Sequence, residues 1–391
     1  MTAGSRPRNG KRRRIRRRQT SMAINVTSFL LIVGIIGVVA FAWMRGGITG
    51  DYSGEGNGEV VVVEVAQGSS LSDLSTRLVE EDVVASEEAF MGAANSHTRA
   101  GELQPGFYRL EQRMSAESAI EALLDPANQA GTVDLPTGSR LMDTHIVASD
   151  DVRKGIFSLI SEASCIGEDG CISVEELQQT AGTADLAALG VPDWAAEEVT
   201  ARGDDPRRIE GLIVPGVHHF NPQGSALEVL SKLIRESAQR YEDTGLRASA
   251  ERVGLSPYDL ITAASLIQME APAGDFDKVG RVILNRLDEP MRIQFDSTVN
   301  YDLPDQEVAT TDEDRARVTA WNTYAMDGLP ETPIASPSLE AILAMENPAE
   351  GEWLYFVTVD LDGRTVFTNT FEEHEAAIAE SIANGVLDSN R

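Results

Sequence analysis

Apolar residues fall along this chain in distinct rhythms, and the elements follow from them. Residues 24–44 hold 21 positions without a charge, about the length a helix needs to cross ~30 Å of hydrocarbon. Strand-like patterns predict strands over 59–65 and 106–110, with a strand and turn over 132–138. Short helices are predicted over 70–78, 86–95 and 115–124. A longer helix over 225–241 carries Leu227, Leu230, Ile234 and Ala238 on one face. Residues 139–200 read as helical and acidic, and 201–208 as an exposed loop. A second amphipathic helix spans 277–287 (Val279, Ile283, Leu287), after which 291–301 alternates like a strand or extended loop. Past a proline-punctuated loop over 328–337, the stretches 353–359 and 365–370 form a hairpin turning at Asp362-Gly363. A helix over 371–383 ends the chain. No internal repeat is present.

One stretch, 256–272, combines the clearest helix signals with an anomaly. Ser256 can cap, Pro257 suits the first helical position and Asp259 completes a capping-box-like S-x-x-D. Pro272 disfavours helix at Ala271 and closes the element. Leu260, Ala263, Ala264, Ile267 and Ala271 form an apolar face, and Glu270 falls inside it. A carboxylate there is partly desolvated and sits at the negative end of the helix dipole, and both effects favour its neutral form. A general acid at neutral pH needs that property. The competing reading is a glutamate at a fraying helix end reaching into water.

Charge divides the chain. Residues 1–45 hold ten of the 33 Lys+Arg and no acid, which leaves 23 basic against 62 acidic residues beyond Arg45, a formal net charge of −39. Nucleic-acid binding, which needs clustered cations, is excluded for that acidic remainder. The basic run before 24–44 places the N-terminus in the cytoplasm and the rest outside it. Ala40-Phe41-Ala42 resembles a cleavage site, but the apolar run exceeds the ~7–15 residues of a signal peptide, so an uncleaved anchor is expected. Cys165 and Cys171 flank Ile166-Gly167-Glu168-Asp169-Gly170, and outside the cytoplasm such a pair most simply forms a disulfide. The five histidines, His97, His145, His218, His219 and His374, show no metal-binding spacing. Neither a metal nor a cofactor is expected.

The strand–helix–helix–strand order of 59–110, with Gly68-Ser69-Ser70-Leu71-x-x-Leu74 at its first turn, resembles a LysM-type module; a glycan-gripping role and a spacer role both remain open. Downstream the resemblance is more specific. Ala264-Ser265-Leu266-Ile267-Gln268-Met269-Glu270, Asn285-Arg286-Leu287, Gln294-x-Asp296-x-Thr298-Val299-x-Tyr301, Asn322-Thr323-Tyr324, Gly328-Leu329-Pro330, Pro333-Ile334 and Phe367-x-Asn369-Thr370 resemble the endolytic murein transglycosylases of the YceG-like type. Glu210-Gly211-Leu212-x-x-Pro215 is similar to that family's entry to the domain. Three positions depart from its usual pattern: Gln268 replaces a frequent Glu, Glu331-Thr332 a Pro-Gly, and Val217-His218-His219 an Asp-Thr-Tyr.

The resemblance implies an α+β chain with a basic cytoplasmic tail (1–23), a single transmembrane helix (24–44), a linker (45–58), a LysM-like subdomain (59–130) and a mixed α/β catalytic domain (131–391). It implies a lyase that cuts the N-acetylmuramic acid to N-acetylglucosamine bond within nascent peptidoglycan strands and leaves 1,6-anhydro ends. The enzyme would be held in the cell membrane beside the cell-wall synthesis machinery. Glu270 would be the single acid and base. Asn285, Gln294, Thr298, Asn322, Tyr324 and Asn369 would be sugar ligands, and Asp296 either a second carboxylate at the site or a turn or strand-end cap. A non-catalytic wall-binding or divisome scaffold is the alternative of a different class, and a lysozyme-like hydrolase a third.

Overall fold

The computed structural model describes residues 50–386 other than 148, 150, 167–169, 304 and 307–309. The expected tail and transmembrane helix lie outside the described residues, as do residues 45–49 of the linker. Among the described residues no helix is long and apolar enough to cross a membrane. The chain divides into two compact units between Gln129 and Ala130.

In the first unit, strand β1 (Val60–Val65) leads to helices α1 (Leu71–Glu80) and α2 (Glu87–Ser96). Strand β2 (Gly106–Glu111) and helix α3 (Ala116–Leu124) follow. The two strands run antiparallel, from Val60 opposite Glu111 to Val65 opposite Gly106. Their alternation sends Val63, Val65, Tyr108 and Leu110 inward onto Leu74, Leu78, Phe90, Ile120 and Leu123 of the helices. Ser70, Ser86 and Ser115 each cap a helix, Ser70 within a capping box closed by Asp73.

The second unit gathers its helices around one core. Strand β3 (Thr132–Leu135) pairs antiparallel with β4 (Gly216–His219). Between them lie α4 (Ile156–Ala163) and α5 (Val174–Thr183). After β4 come α6 (Ala226–Asp243), α7 (Leu246–Val253), α8 (Pro257–Glu270) and α9 (Phe276–Asp288). The short α10 (Asp296–Tyr301) and α11 (Leu339–Glu346) precede the closing hairpin of β5 (Tyr355–Thr358) and β6 (Thr365–Thr368) and the final helix α12 (Phe371–Ala383). Cys165 and Cys171 are disulfide-bonded.

Four expectations need correction. Residues 139–200 are not all helical: Thr144–Ile146 and Asp151–Arg153 are antiparallel strands. The segment 201–208 is only partly an exposed loop, because Arg208 is buried and donates from Nε to the Ala181 carbonyl at 2.6 Å and from Nη2 to the Ala184 carbonyl at 2.5 Å. A guanidinium carries enough donors to replace water inside. Strand-like alternation in 291–301 stops at Phe295. Ser297, Thr298, Val299, Asn300 and Tyr301 are all buried, and five consecutive buried residues do not fit a half-exposed strand. Helix α8, finally, has no polar side, since Tyr258 and every residue from Leu260 to Ile267 are buried. It lies among α7, α9, α10 and α11. A helix enclosed on all faces needs no stripe.

Candidate active site

Helix α8 brings Glu270 to its destination. The helix ends there, with Ala271 already extended before Pro272. Glu270 is half-buried, and its Oε1 accepts the backbone N–H of Ser297 at 2.9 Å. Burial raises the pKa of its carboxyl above the ordinary value; the Ser297 side chain and main chain oppose that rise, and the charge of Asp296 adds to it. Although near enough to act on that carboxyl, the Ser297 hydroxyl has no partner in full hydrogen-bond geometry. Gln268, about 200° around the helix from Glu270, turns instead to the Ser338 N–H, which its Oε1 accepts at 2.9 Å. A glutamine is well suited to that amide.

Asp296 occupies the first turn of α10 without capping it. Its Oδ1 accepts from Tyr324 Oη at 2.7 Å, Thr310 Oγ1 at 2.9 Å and Arg315 Nε at 3.2 Å, while Oδ2 accepts from Arg315 Nη2 at 3.0 Å. Bound in this way, it is a fixed negative charge beside Glu270. Tyr324 is half-buried under the Arg315 guanidinium, 5.0 Å from its ring centre. Burial and the bond to Asp296 raise its hydroxyl pKa, so it stays a proton donor.

Three of the anticipated sugar ligands are occupied with the protein's own main chain. Asn285 Nδ2 donates to the Gly351 and Trp353 carbonyls at 3.1 and 2.9 Å. Thr298 Oγ1 donates to the Phe295 carbonyl at 2.6 Å and lies 2.9 Å from Thr323 Oγ1. Asn322, 1% exposed, donates to the carbonyls of Asp314, Arg315 and Arg317 and accepts the Tyr324 N–H. Asn322 and Thr323 thus hold Tyr324 and Arg315 against α10. Gln294 is exposed at φ 54°, and Asn369 is exposed before α12. The structure therefore brings together Glu270, Asp296 and Tyr324 and adds Ser297, Thr310 and Arg315. Asp296-Ser297-Thr298, polar residues opening a short helix, was the available signal for Ser297. Nothing in sequence spacing marked Arg315.

Behind this group, Glu210 is fully buried. It accepts the Leu141 N–H at 3.2 Å and the Tyr301 hydroxyl at 2.8 Å. Burial pushes its carboxyl up from 4.5 to about 7. Among the described residues no cluster of His, Cys, Asp or Glu could hold a metal ion.

The profile of the YceG-like family matches residues 63–380. The endolytic murein transglycosylase of Bacillus subtilis is 26% identical over 326 residues, covering 83% of this chain and 85% of its own length. That of Streptococcus pneumoniae is 23% identical over 340 residues, 82% of this chain and 58% of its own. Among solved structures, the crystal structure of a yceG-like protein from Listeria monocytogenes is 22% identical with a TM-score of 0.48, over 81% of this chain and 99% of that one.

Proposed function

Since the chain belongs to the YceG-like family, we propose that it is an endolytic murein transglycosylase, a lyase acting on peptidoglycan strands, with Glu270 as its acid and base. The observation that carries the residue assignment is the placement of Glu270: a half-buried carboxyl ending an enclosed helix, with its pKa raised by burial and by Asp296, and held at one oxygen by the Ser297 N–H. That leaves its other oxygen for substrate. Neutral Glu270 gives its proton to the glycosidic oxygen as the C1–O4 bond between muramic acid and glucosamine breaks. The resulting carboxylate then takes the proton of the muramic acid C6 hydroxyl while that oxygen bonds to C1. An anhydro end forms, no water is consumed, and Glu270 regains its proton. The acetamido group of the substrate can shield the cationic centre, so one carboxyl does the work that two share in ordinary glycosidases. Asp296, fixed by Arg315 and Tyr324, keeps Glu270 proton-loaded.

The apolar run over 24–44 anchors the enzyme in the cell membrane with residues 1–23 in the cytoplasm, which puts Glu270 beside strands still being made by the synthesis machinery. In the first unit, the β1–α1–α2–β2 arrangement is the LysM-like part, with glycan as its ligand. The test is incubation of the full-length chain and its Glu270→Gln variant with uncrosslinked strands, read by mass spectrometry. Anhydromuramyl ends from the wild type alone support the proposal. Reducing ends would make it a hydrolase, and no products from either form would leave a wall-binding scaffold.

A further inference from the structure

Four hydroxyls gather where α10 meets Glu270 and Asp296, and three of them have acceptors. Thr298 donates to the Phe295 carbonyl at 2.6 Å, while Tyr324 and Thr310 donate to Asp296 Oδ1 at 2.7 and 2.9 Å. The fourth, on Ser297, has none. Ser297 is 9% exposed and its Oγ is buried, so neither water nor substrate can complete it. Of the buried side-chain polar atoms without a partner among the described residues, it alone belongs to a residue bonded to Glu270. Leaving a buried donor unsatisfied is unfavourable.

Covalent geometry limits where that hydroxyl can turn. The Ser297 nitrogen lies 2.9 Å from Glu270 Oε1, and a serine Oγ stands roughly 3–4 Å from its own nitrogen. The hydroxyl is therefore beside the Glu270 carboxyl, near enough to favour its ionised form. While Glu270 is neutral, Oε1 takes the Ser297 N–H and the acid proton sits on Oε2. A neutral carboxyl is a modest acceptor, and the hydroxyl gains little by turning to it. Once the proton has left, both oxygens carry charge. A hydroxyl donating to a carboxylate then makes one of the stronger hydrogen bonds.

We propose that Ser297 is a positioning residue for the transglycosylase reaction: its hydroxyl is a donor held in reserve, which bonds Glu270 only after Glu270 has protonated the glycosidic oxygen. The inference rests on the reading of Glu270 as acid and base. Ser297 keeps its own proton throughout. Its N–H and hydroxyl together hold the carboxylate while the C6 hydroxyl of muramic acid approaches, and the second bond lapses when that proton passes to Glu270. An interaction made only as charge develops lowers the barrier without tightening substrate binding. The titratable groups that face Glu270 are Asp296 of α10, whose charge disfavours the carboxylate, and Tyr324. Ser297 offsets Asp296 from the next position in the chain.

The test is kinetic, on the full-length chain acting on uncrosslinked strands. We expect Ser297→Ala to lower kcat about tenfold and to leave KM within about twofold of the wild type. The alkaline limb of its kcat/KM profile moves to higher pH by about one unit, because the carboxylate has lost a donor. A loss of packing alone would lower activity equally at every pH. Ser297→Thr keeps the hydroxyl and is expected to keep the wild-type limb. An unmoved limb in the alanine variant, a limb moved to lower pH, or a threonine variant displaced as far as alanine overturns the proposal. Glu270→Gln separates the two readings. If that variant still forms anhydro ends, Glu270 is not the acid and this inference falls with it. If it forms none while the Ser297→Ala limb stays in place, the role of Ser297 falls and the transglycosylase stands.

Discussion

Glu270 titrates under opposed influences, and their signs set its pH behaviour. Burial raises its pKa, Ser297 lowers it and the charge of Asp296 raises it. The acid form is needed first, so activity is lost as pH rises through that pKa. Asp296→Asn removes the like charge, and the alkaline limb of the kcat/KM profile is expected to move to lower pH; an unmoved limb would show that Asp296 does not act on Glu270. Glu210 reports in a different measurement. Between 4.5 and about 7 the folded chain holds a proton there that the unfolded chain has lost. Stability therefore falls as pH rises across that window, by roughly 3 kcal/mol from this group. Denaturant unfolding at pH 5 and pH 8 should show a larger loss for the wild type than for Glu210→Gln, and equal losses would refute the assignment.

At the scale of elements, α8 matters because it is enclosed. Its Ser265 hydroxyl accepts the Ile334 N–H at 3.0 Å and donates to the Thr262 carbonyl at 2.7 Å, tying the proline-punctuated loop to the helix that carries Glu270. Ser265→Ala leaves that buried N–H without an acceptor and should cost about 1–3 kcal/mol, read as a lower denaturant midpoint at unchanged slope. Gly280 plays the matching part on α9, where a Cβ would sit 3.3 Å from Ile267 Cδ1 and 3.4 Å from Met345 Sδ. A Gly280→Val change should overpack the contact of α8, α9 and α11 by about 1–3 kcal/mol. Neither effect is expected to alter the pH profile, since neither residue touches Glu270.

For the molecule as a whole, the proposed topology concerns residues 1–49, outside the described part. Full-length protein is expected to sediment with membranes and to resist carbonate extraction, while a chain beginning at Gly50 stays in the supernatant. Identical partitioning of the two would remove the anchor from the functional reading. Charge acts at this scale as well. With −39 beyond Arg45, a polyanionic strand meets general repulsion on its approach.

Local signals in the chain determined much of this. Serines before apolar periodicity set the starts of α1, α2, α3 and α8, Pro272 set the stop that puts Glu270 at a helix end, and Asp362-Gly363 set the final hairpin. These depend on backbone geometry and hydrogen bonds within a few residues, which sequence carries directly. Tertiary packing alone decided which polar side chains face the substrate and which serve the scaffold. Asn285 carries the same amide as any sugar ligand, but the Gly351 and Trp353 carbonyls, brought beside it by the fold, take its donors. The partners of Asp296 are likewise residues well separated from it in the chain, which no periodicity encodes.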